Sequence, residues 1–298
     1  MPGSTTKSIT TRDGVRLAYE EAGSGFPMIF VHEFAGDMRS WEPQMRFFSR
    51  RYRCIAYAAR GYLPSDVPAD AARYSQDHAT DDIADVLGGL GVACAHAVGL
   101  SMGAFATLHF GMRYGAMARS LVAAGVGYGA APDQRERFQA ESEATAARIQ
   151  AEGMAAVAAT YALGPTRLAF LAKDPRGHGE FTRQLAEHST LGSALTMLGV
   201  QRRRPGLWDL REKLAAISVP LLVLAGDEDE PTLEPALFLK RTVPTSAVAM
   251  LPRTGHTMNL EEPDAFNDAV LRFVSAVEAG AWKERDPRIF GGSALGMR

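Results

Sequence analysis

The chain has 298 residues, of which 46% are apolar and 22% charged, and its formal net charge is -2. This length suits one large α/β domain, or one domain with an insertion, and the proportion of apolar residues allows a sizeable buried core. The small net charge gives no electrostatic reason to bind nucleic acid or an acidic membrane. The two cysteines, Cys54 and Cys94, lie in or beside apolar runs, so we interpret them as small buried hydrophobes, not as a disulfide or metal site. No apolar signal core begins the chain and no stretch is apolar for long enough to cross a bilayer, so we expect a cytoplasmic protein.

In chain order, the first predicted element is a two-stranded hairpin at residues 8–21, with Asp13-Gly14 at its turn. Short apolar runs further along predict buried strands, and apolar residues at helical spacing predict helices. The strands are predicted at 28–31, 53–58, 95–98, 120–124, 220–225 and 247–251, and the helices at 41–48, 83–90, 104–114 and 266–277.

Residues 132–216 differ from the rest because they are rich in Ala, Arg and Glu, have helical spacing and contain no convincing strand. We predict a helical cap there, inserted into an α/β core formed by residues 1–131 and 217–298. The alternation of strands and helices predicts a mostly parallel twisted sheet flanked by helices, in which ligands bind beyond the carboxyl ends of the strands. The Gly-rich tail from Trp282 is predicted to pack poorly.

The pentapeptide Gly99-Leu-Ser-Met-Gly103 lies between a predicted strand and a predicted helix. A turn this sharp holds its central side chain above the sheet edge, and the two glycines keep neighbouring side chains away. The motif is weak by itself, but its position between strand and helix makes Ser101 the candidate nucleophile.

A serine hydroxyl needs a base of near-neutral pKa, and histidine is the usual one. Of the seven histidines, His256 directly follows the last predicted strand, whereas most others lie in helical stretches, in a cap loop or at the start of a strand. A carboxylate must orient the base, and the segment after the strand at 220–225 contains several. Asp227 lies at the strand end, and Asp229 is two residues further out, where its side chain can turn toward the histidine loop. The order serine, acid, histidine matches a known arrangement with either residue.

These pieces together resemble the α/β-hydrolase fold family over nearly the whole chain up to about Val277. The matching segments are the Ser101 pentapeptide, the strand ending at His32 with Gly36, the loop 60–66, Gly226–Asp229 and Gly255-His256. The resemblance favours Asp229 over Asp227 as the acid. It also implies that the oxyanion hole consists of the backbone N–H groups of Met102 and Phe34.

This chain has Glu33 where many relatives have a glycine after the early-loop histidine. Glu33 is expected to reshape the acyl pocket, to repel anionic substrates, or to point aside into a local salt link. Other candidates for lining the substrate site are His32, Trp41, Tyr128, Trp208 and Met258, although residues such as the last four are more often part of the core.

We therefore predict a serine hydrolase that cleaves a small ester or lactone, because the pentapeptide resembles that of enol-lactonases and some esterases. The same machinery serves carbon–carbon bond hydrolases of ring-cleavage products, amidases and cofactor-free perhydrolases, and the sequence does not separate these. A non-catalytic ligand-sensing protein is the alternative from another class. We expect a small-molecule substrate, no metal, no cofactor, and no binding to nucleic acid or membrane. The oligomeric state is left open, with a homodimer as one option.

Overall fold

A computed structural model describes residues 7–290 of the chain. Its centre is an eight-stranded sheet with the strand order β1-β2-β4-β3-β5-β6-β7-β8, in which β1 and β2 are antiparallel to their neighbours and the other strands are parallel. The strands are β1 (Lys7–Thr10), β2 (Arg16–Ala22), β3 (Phe26–Val31), β4 (Tyr52–Tyr57), β5 (Ala95–Leu100), β6 (Ala118–Ala124), β7 (Leu221–Gly226) and β8 (Ser246–Leu251). The predicted mostly parallel sheet is confirmed.

Apolar residues cover both faces of this sheet because successive side chains of a strand point to opposite sides. In β3, Met28 and Phe30 belong to one buried cluster, while Ile29 and Val31 belong to the cluster on the other face. This double burial explains why the central strands are continuous apolar runs in the sequence.

Helices surround the sheet and fill the segment between β6 and β7. They are α1 (Glu42–Phe48), α2 (Gln76–Gly89), α3 (Met102–Arg113), α4 (Arg135–Glu152), α5 (Met154–Tyr161), α6 (Leu168–Lys173), α7 (Pro175–Ala186), α8 (Thr190–Thr196), α9 (Arg211–Ala215), α10 (Glu230–Thr242), α11 (Met258–Glu261) and α12 (Pro263–Glu278). Helices α2, α3 and α10 contribute to one buried cluster, and α1 and α12 to the other. Single turns of 3₁₀ helix connect several of these elements, including Pro165–Arg167 and Trp208–Leu210.

The predicted cap segment contains helices α4 to α9 and no strand among its described residues. Its helices pack on each other as the pairs α4–α8 and α5–α7, and α6 contacts α11 beside the candidate base. Its last part differs, because α9 packs on α3 and α10, and Leu207, Leu210 and Leu214 join the core cluster. The division of the chain at residue 216 therefore stays a prediction.

The C-terminal tail, predicted to pack poorly, is packed at its start. Trp282 donates from its indole nitrogen to the Thr245 carbonyl at 2.7 Å, and its ring contacts Phe273. The last eight residues of the tail lie outside the described residues. Within residues 7–290, no single helix combines the length and apolar composition of a membrane span, although the bent pair Met154–Tyr161 and Pro165–Lys173 meets both conditions jointly.

Candidate active site

Ser101 occupies a strained turn between β5 and α3. Its backbone angles are φ 54° and ψ -112°, a conformation that L residues other than glycine rarely adopt and that persists only when the surroundings enforce it. The enforcing contacts are two hydrogen bonds: the Ser101 N–H donates to the Ala124 carbonyl at 2.8 Å, and the Ser101 carbonyl accepts from Phe105 N–H at 3.0 Å. Strain of this kind is typical of functional positions.

The flanking glycines are required by close backbone packing. A methyl group on Gly103 would collide with the Val31 carbonyl of the neighbouring strand, and one on Gly99 would collide with Gly103 and Thr107. Helix α3 can therefore begin directly above β3 and β5 only because both positions lack a side chain.

His256 is held by a carboxylate from the loop after β7. Asp229 Oδ2 lies 2.6 Å from His256 Nδ1, and both side chains are buried. Thr232 Oγ1 donates to the same Asp229 oxygen at 3.0 Å. Asp227, the other candidate, is exposed and accepts instead from Thr254 N–H at 3.1 Å. The carboxylate that contacts the imidazole is therefore Asp229, and Asp227 ties the two loops together.

The ring of His256 lies against the end of β6, the strand that neighbours the Ser101 turn. A carbon placed on Gly125 would be 3.3 Å from the His256 ring atoms, and Gly125 directly follows the Ala124 carbonyl that holds Ser101. Serine, histidine and aspartate thus come from loops after β5, β8 and β7 at one edge of the sheet. Among the residues that the structure describes, no hydrogen bond joins the Ser101 hydroxyl to His256.

Within the described range 7–290, two buried residues, Met102 and Phe34, have backbone N–H groups without an acceptor. The Met102 N–H is the first of α3 and so has no acceptor inside its helix, and the Phe34 N–H belongs to the loop after β3. Both residues are buried, and in the described part of the chain neither N–H has an acceptor. Buried backbone donors are almost always paired, so unpaired N–H groups in the loop after β3 and at the first residue of α3 are candidates for binding an oxygen atom of a ligand.

Glu33 forms a buried ion pair with Arg167, a cap residue 134 positions away. Arg167 Nη1 donates to Glu33 Oε1 at 2.8 Å and Nη2 donates to Oε2, and the side chains are 3% and 2% exposed. Arg167 also donates to the Thr257 hydroxyl, next to His256. The third expectation for Glu33, a local salt link, describes this contact, but the partner comes from the cap.

The same carboxylate faces the other ring nitrogen of His256. Glu33 Oε2 lies 4.0 Å from His256 Nε2, the nitrogen opposite the Asp229 contact. Burial raises the pKa of Glu33, but the charge and hydrogen bonds of Arg167 outweigh this and hold the pKa below its ordinary value. Glu33 is therefore ionised at neutral pH although it is buried.

The cap is also tied to the His256 loop through its backbone. His256 N–H donates to the Thr166 carbonyl at 2.9 Å, and a side chain on Gly255 would collide with that carbonyl. The 3₁₀ turn Pro165–Arg167 therefore lies directly on the loop that carries the imidazole. Arg167 and Thr232 are site residues that the sequence analysis missed, since nothing distinguishes them from other polar residues of helical segments.

His32 does not offer its ring to a ligand. Its Nε2 accepts from Ala59 N–H at 3.0 Å, so its proton is on Nδ1, which donates to the Glu33 carbonyl at 2.7 Å. Burial lowers the pKa of His32, which keeps the ring neutral and suits these two bonds. His32 thus fixes the loop that presents Glu33 and Phe34.

Three other candidate lining residues have mainly packing contacts. Trp41 is fully buried between Phe30 and Phe266, and Met258 is fully buried at the start of α11. Tyr128 is 39% exposed, and its hydroxyl donates to Glu141 of the cap. Among the described residues, no hydrogen bond or ring contact joins Trp41, Met258 or Tyr128 to Ser101 or His256.

Trp208 packs against a core helix, and its role in lining the substrate site stays a prediction. Its ring stacks on Phe238 of α10, with 4.1 Å between ring centroids and an interplanar angle of 19°. The neighbouring residues Leu207 and Leu210 belong to the buried cluster to which α3 and α10 contribute. Within residues 7–290, no three His, Cys, Asp or Glu side chains are grouped as metal ligands, and the expected absence of a metal stays a prediction.

Comparisons with known proteins agree with this architecture. The model of the alpha/beta hydrolase family matches residues 28–269. A 3-oxoadipate enol-lactonase of Acinetobacter baylyi is 26% identical over 273 residues, which cover 91% of this chain and 97% of the relative. A putative 2-succinyl-6-hydroxy-2,4-cyclohexadiene-1-carboxylate synthase of Bacillus subtilis is 27% identical over 278 residues, with 91% and 99% covered.

Solved structures are similar over the same extent. A hydrolase from Pseudomonas aeruginosa superposes with a TM-score of 0.81 at 26% identity, covering 92% of this chain and 100% of that chain. A thermophilic esterase from Thermogutta terrifontis gives a TM-score of 0.80 at 26% identity, with 92% and 99% covered. The sheet order, the strained serine turn and the extent of these matches lead to one conclusion: the chain is a member of the α/β hydrolase family.

Proposed function

We propose that this enzyme hydrolyses a small carboxylic ester or lactone through an acyl-enzyme on Ser101. Ser101 is the nucleophile, His256 the general base and acid, and Asp229 the group that orients the imidazole. The similarity to an enol-lactonase and to an esterase supports ester or lactone chemistry.

The mechanism follows from the roles that each atom can take. The Asp229 contact keeps the proton of neutral His256 on Nδ1, so Nε2 is free to accept the Ser101 proton. The Ser101 oxygen attacks the carbonyl carbon, and the negative charge that develops on the carbonyl oxygen meets the Phe34 and Met102 N–H groups. Each such donor contributes a few kcal/mol because the charge exists only in the transition state. The protonated His256 then gives its proton to the leaving alcohol.

The observation that carries this proposal is the strained backbone of Ser101 together with the buried contact between Asp229 and His256 on a neighbouring loop. A purely structural serine would need neither feature. The hydrogen bond between Ser101 and His256 is expected to form with bound substrate, since catalytic hydrogen bonds are often long in a free enzyme and tighten in the complex.

The test is covalent labelling together with turnover. A fluorophosphonate probe should modify the protein at Ser101, and p-nitrophenyl acetate should be hydrolysed by the same preparation. Ser101→Ala should lose both, whereas Ser218→Ala, a change at an exposed serine, should keep both. Absence of labelling and turnover in the unmodified protein would instead support the ligand-sensing alternative. A panel of acyl esters and lactones then identifies the substrate.

A further inference from the structure

The most unusual feature of the site is a second carboxylate at its base. Asp229 contacts His256 Nδ1, and Glu33 lies 4.0 Å from the opposite nitrogen, Nε2. A distance of 4.0 Å is too long for a direct hydrogen bond. We propose that Glu33 positions the water molecule that hydrolyses the acyl-enzyme, an assignment that rests on the proposed function.

The separation of the two groups suits one bridging water. An oxygen about 2.7 to 2.8 Å from both Nε2 and Oε2 would subtend an angle of about 90 to 95° between them, which is near the bond angle of water. One O–H of that water would donate to His256 and the other to Glu33. Both protons are then committed, and the lone pairs of the oxygen are left for the acyl carbon.

Both groups have the capacity for this bond. An ionised carboxylate has about four acceptor positions, and the described contacts of Glu33 use two of them, one on each oxygen, for Arg167. In the part of the chain that the structure describes, His256 Nε2 has no hydrogen-bond partner. Glu33 Oε2 and His256 Nε2 can therefore each accept one more hydrogen bond, and their separation leaves room for one water molecule between them.

Because of Arg167, the Glu33 carboxylate is suited to bind a water molecule without taking a proton from that water. The two-pronged contact fixes the plane of the Glu33 carboxylate, and Thr257 fixes Arg167 in turn. Because the guanidinium keeps Glu33 ionised, Glu33 accepts a hydrogen bond throughout the step and does not act as an acid.

The step is balanced without any further reactant. The water oxygen forms a bond to the acyl carbon while its proton passes to His256 Nε2, and the carbonyl oxygen becomes an oxyanion at the Phe34 and Met102 donors. The bond from the acyl carbon to Ser101 Oγ then breaks, and His256 returns the proton to Ser101. The products are the carboxylic acid and the free enzyme.

A comparison of two nucleophiles tests this role. Methanol can donate one hydrogen bond to His256 but has no second O–H for Glu33, so Glu33 should assist water far more than methanol. We therefore measure, in buffer with added methanol, the ratio of methyl acetate to acetate that forms from p-nitrophenyl acetate. In Glu33→Gln this ratio should rise about tenfold, and stopped-flow traces should show a burst of p-nitrophenol because deacylation has become slower than acylation.

Matched variants separate this role from a loss of packing. Glu33→Gln leaves the buried Arg167 guanidinium without its carboxylate partner. If this variant does not fold, the same product ratio is measured in the double variant Glu33→Gln/Arg167→Met, which leaves neither charge of this pair buried. Asp82→Asn breaks another buried ion pair, in which Asp82 of helix α2 contacts Arg60 of the loop after β4. It should lower the melting temperature and leave the product ratio unchanged.

The outcomes are distinct. An unchanged product ratio in a folded Glu33 variant overturns the water-positioning role, and a slower burst with an unchanged ratio assigns Glu33 to the leaving group instead. If no Ser101-dependent acyl-enzyme forms in the unmodified protein, the proposed function itself fails. That failure is detected by covalent labelling and not by the product ratio.

Discussion

The assignment of the triad acid can be tested by two substitutions in one loop, Asp229→Asn and Asp227→Asn. The two residues are two positions apart and the chemical change is identical, but their surroundings differ. Asp229 is buried with its Oδ2 2.6 Å from His256 Nδ1, and Asp227 is exposed and accepts only from Thr254 N–H. A difference in activity therefore reports the role of the residue and not the nature of the substitution.

The expected magnitude follows from the hydrogen bonds of Asp229. A hydrogen bond to a charged group contributes about 1.5 to 3 kcal/mol, so replacing the charge alone should reduce kcat about 10- to 150-fold. If the Asn amide nitrogen faces His256, Nδ1 must accept and the ring proton moves to Nε2, where it blocks proton transfer from Ser101. That tautomer would bring the loss to about 10⁴-fold, as in serine proteases. KM should change little, because Asp229 acts on His256.

The assay is steady-state hydrolysis of p-nitrophenyl acetate, with melting temperatures measured in parallel. Asp227→Asn should retain at least a third of kcat, because the Asn carbonyl oxygen can still accept from Thr254 N–H and the weakened bond costs at most about 1.5 kcal/mol of stability. A larger loss in Asp227→Asn than in Asp229→Asn would refute the assignment. So would an Asp229→Asn enzyme within about fivefold of the unmodified one.

Other predictions concern strain, packing and charge. Ser101→Gly and Ser101→Ala should both be inactive, but the glycine variant should be more stable by about 1 kcal/mol in denaturant unfolding, because only glycine adopts the backbone angles of position 101 without strain; equal stabilities would contradict the strain. Gly103→Ala should yield little folded protein by circular dichroism, because its methyl group meets the Val31 carbonyl; a normal melting temperature would show that the contact yields. The pKa of Glu33 is lowered in the folded state, so its stabilising contribution is present above about pH 4.3 and is lost as the pH falls through the folded value. Acidification from pH 5 to pH 3 should therefore destabilise the unmodified protein more than Glu33→Gln/Arg167→Met in urea unfolding, and parallel losses would contradict this. Dialysis against EDTA should leave esterase activity unchanged, and a loss that Zn²⁺ restores would overturn the metal-free mechanism.

The order of strands and helices was predictable because it depends on local pattern. The strand at β3 is continuous and apolar since both its faces are buried, and α12 carries an apolar stripe that begins near Pro263. The turn at Ser101 has a motif of its own, since the backbone contacts on either side exclude every residue but glycine. Such features are encoded within a few residues and need no knowledge of distant partners.

The placement of Trp208 shows where local pattern was insufficient. A tryptophan after a helical segment suits a cap or a core equally well, and only the packing of α9 on α3 and α10 distinguishes the two. The boundary between cap and core depends on which surfaces meet, so the composition of the segment cannot fix it.

The chain by itself determined the serine turn, the parallel sheet and the histidine after the last strand, because steric and hydrophobic rules act on adjacent residues. Only the tertiary structure decided which of two nearby carboxylates contacts the imidazole, and that a glutamate after β3 meets an arginine 134 residues later beside His256 Nε2. These contacts depend on distances of a few ångströms between loops that are remote in sequence. The positions of those loops are set by the packing of the whole domain, and no short segment contains that information.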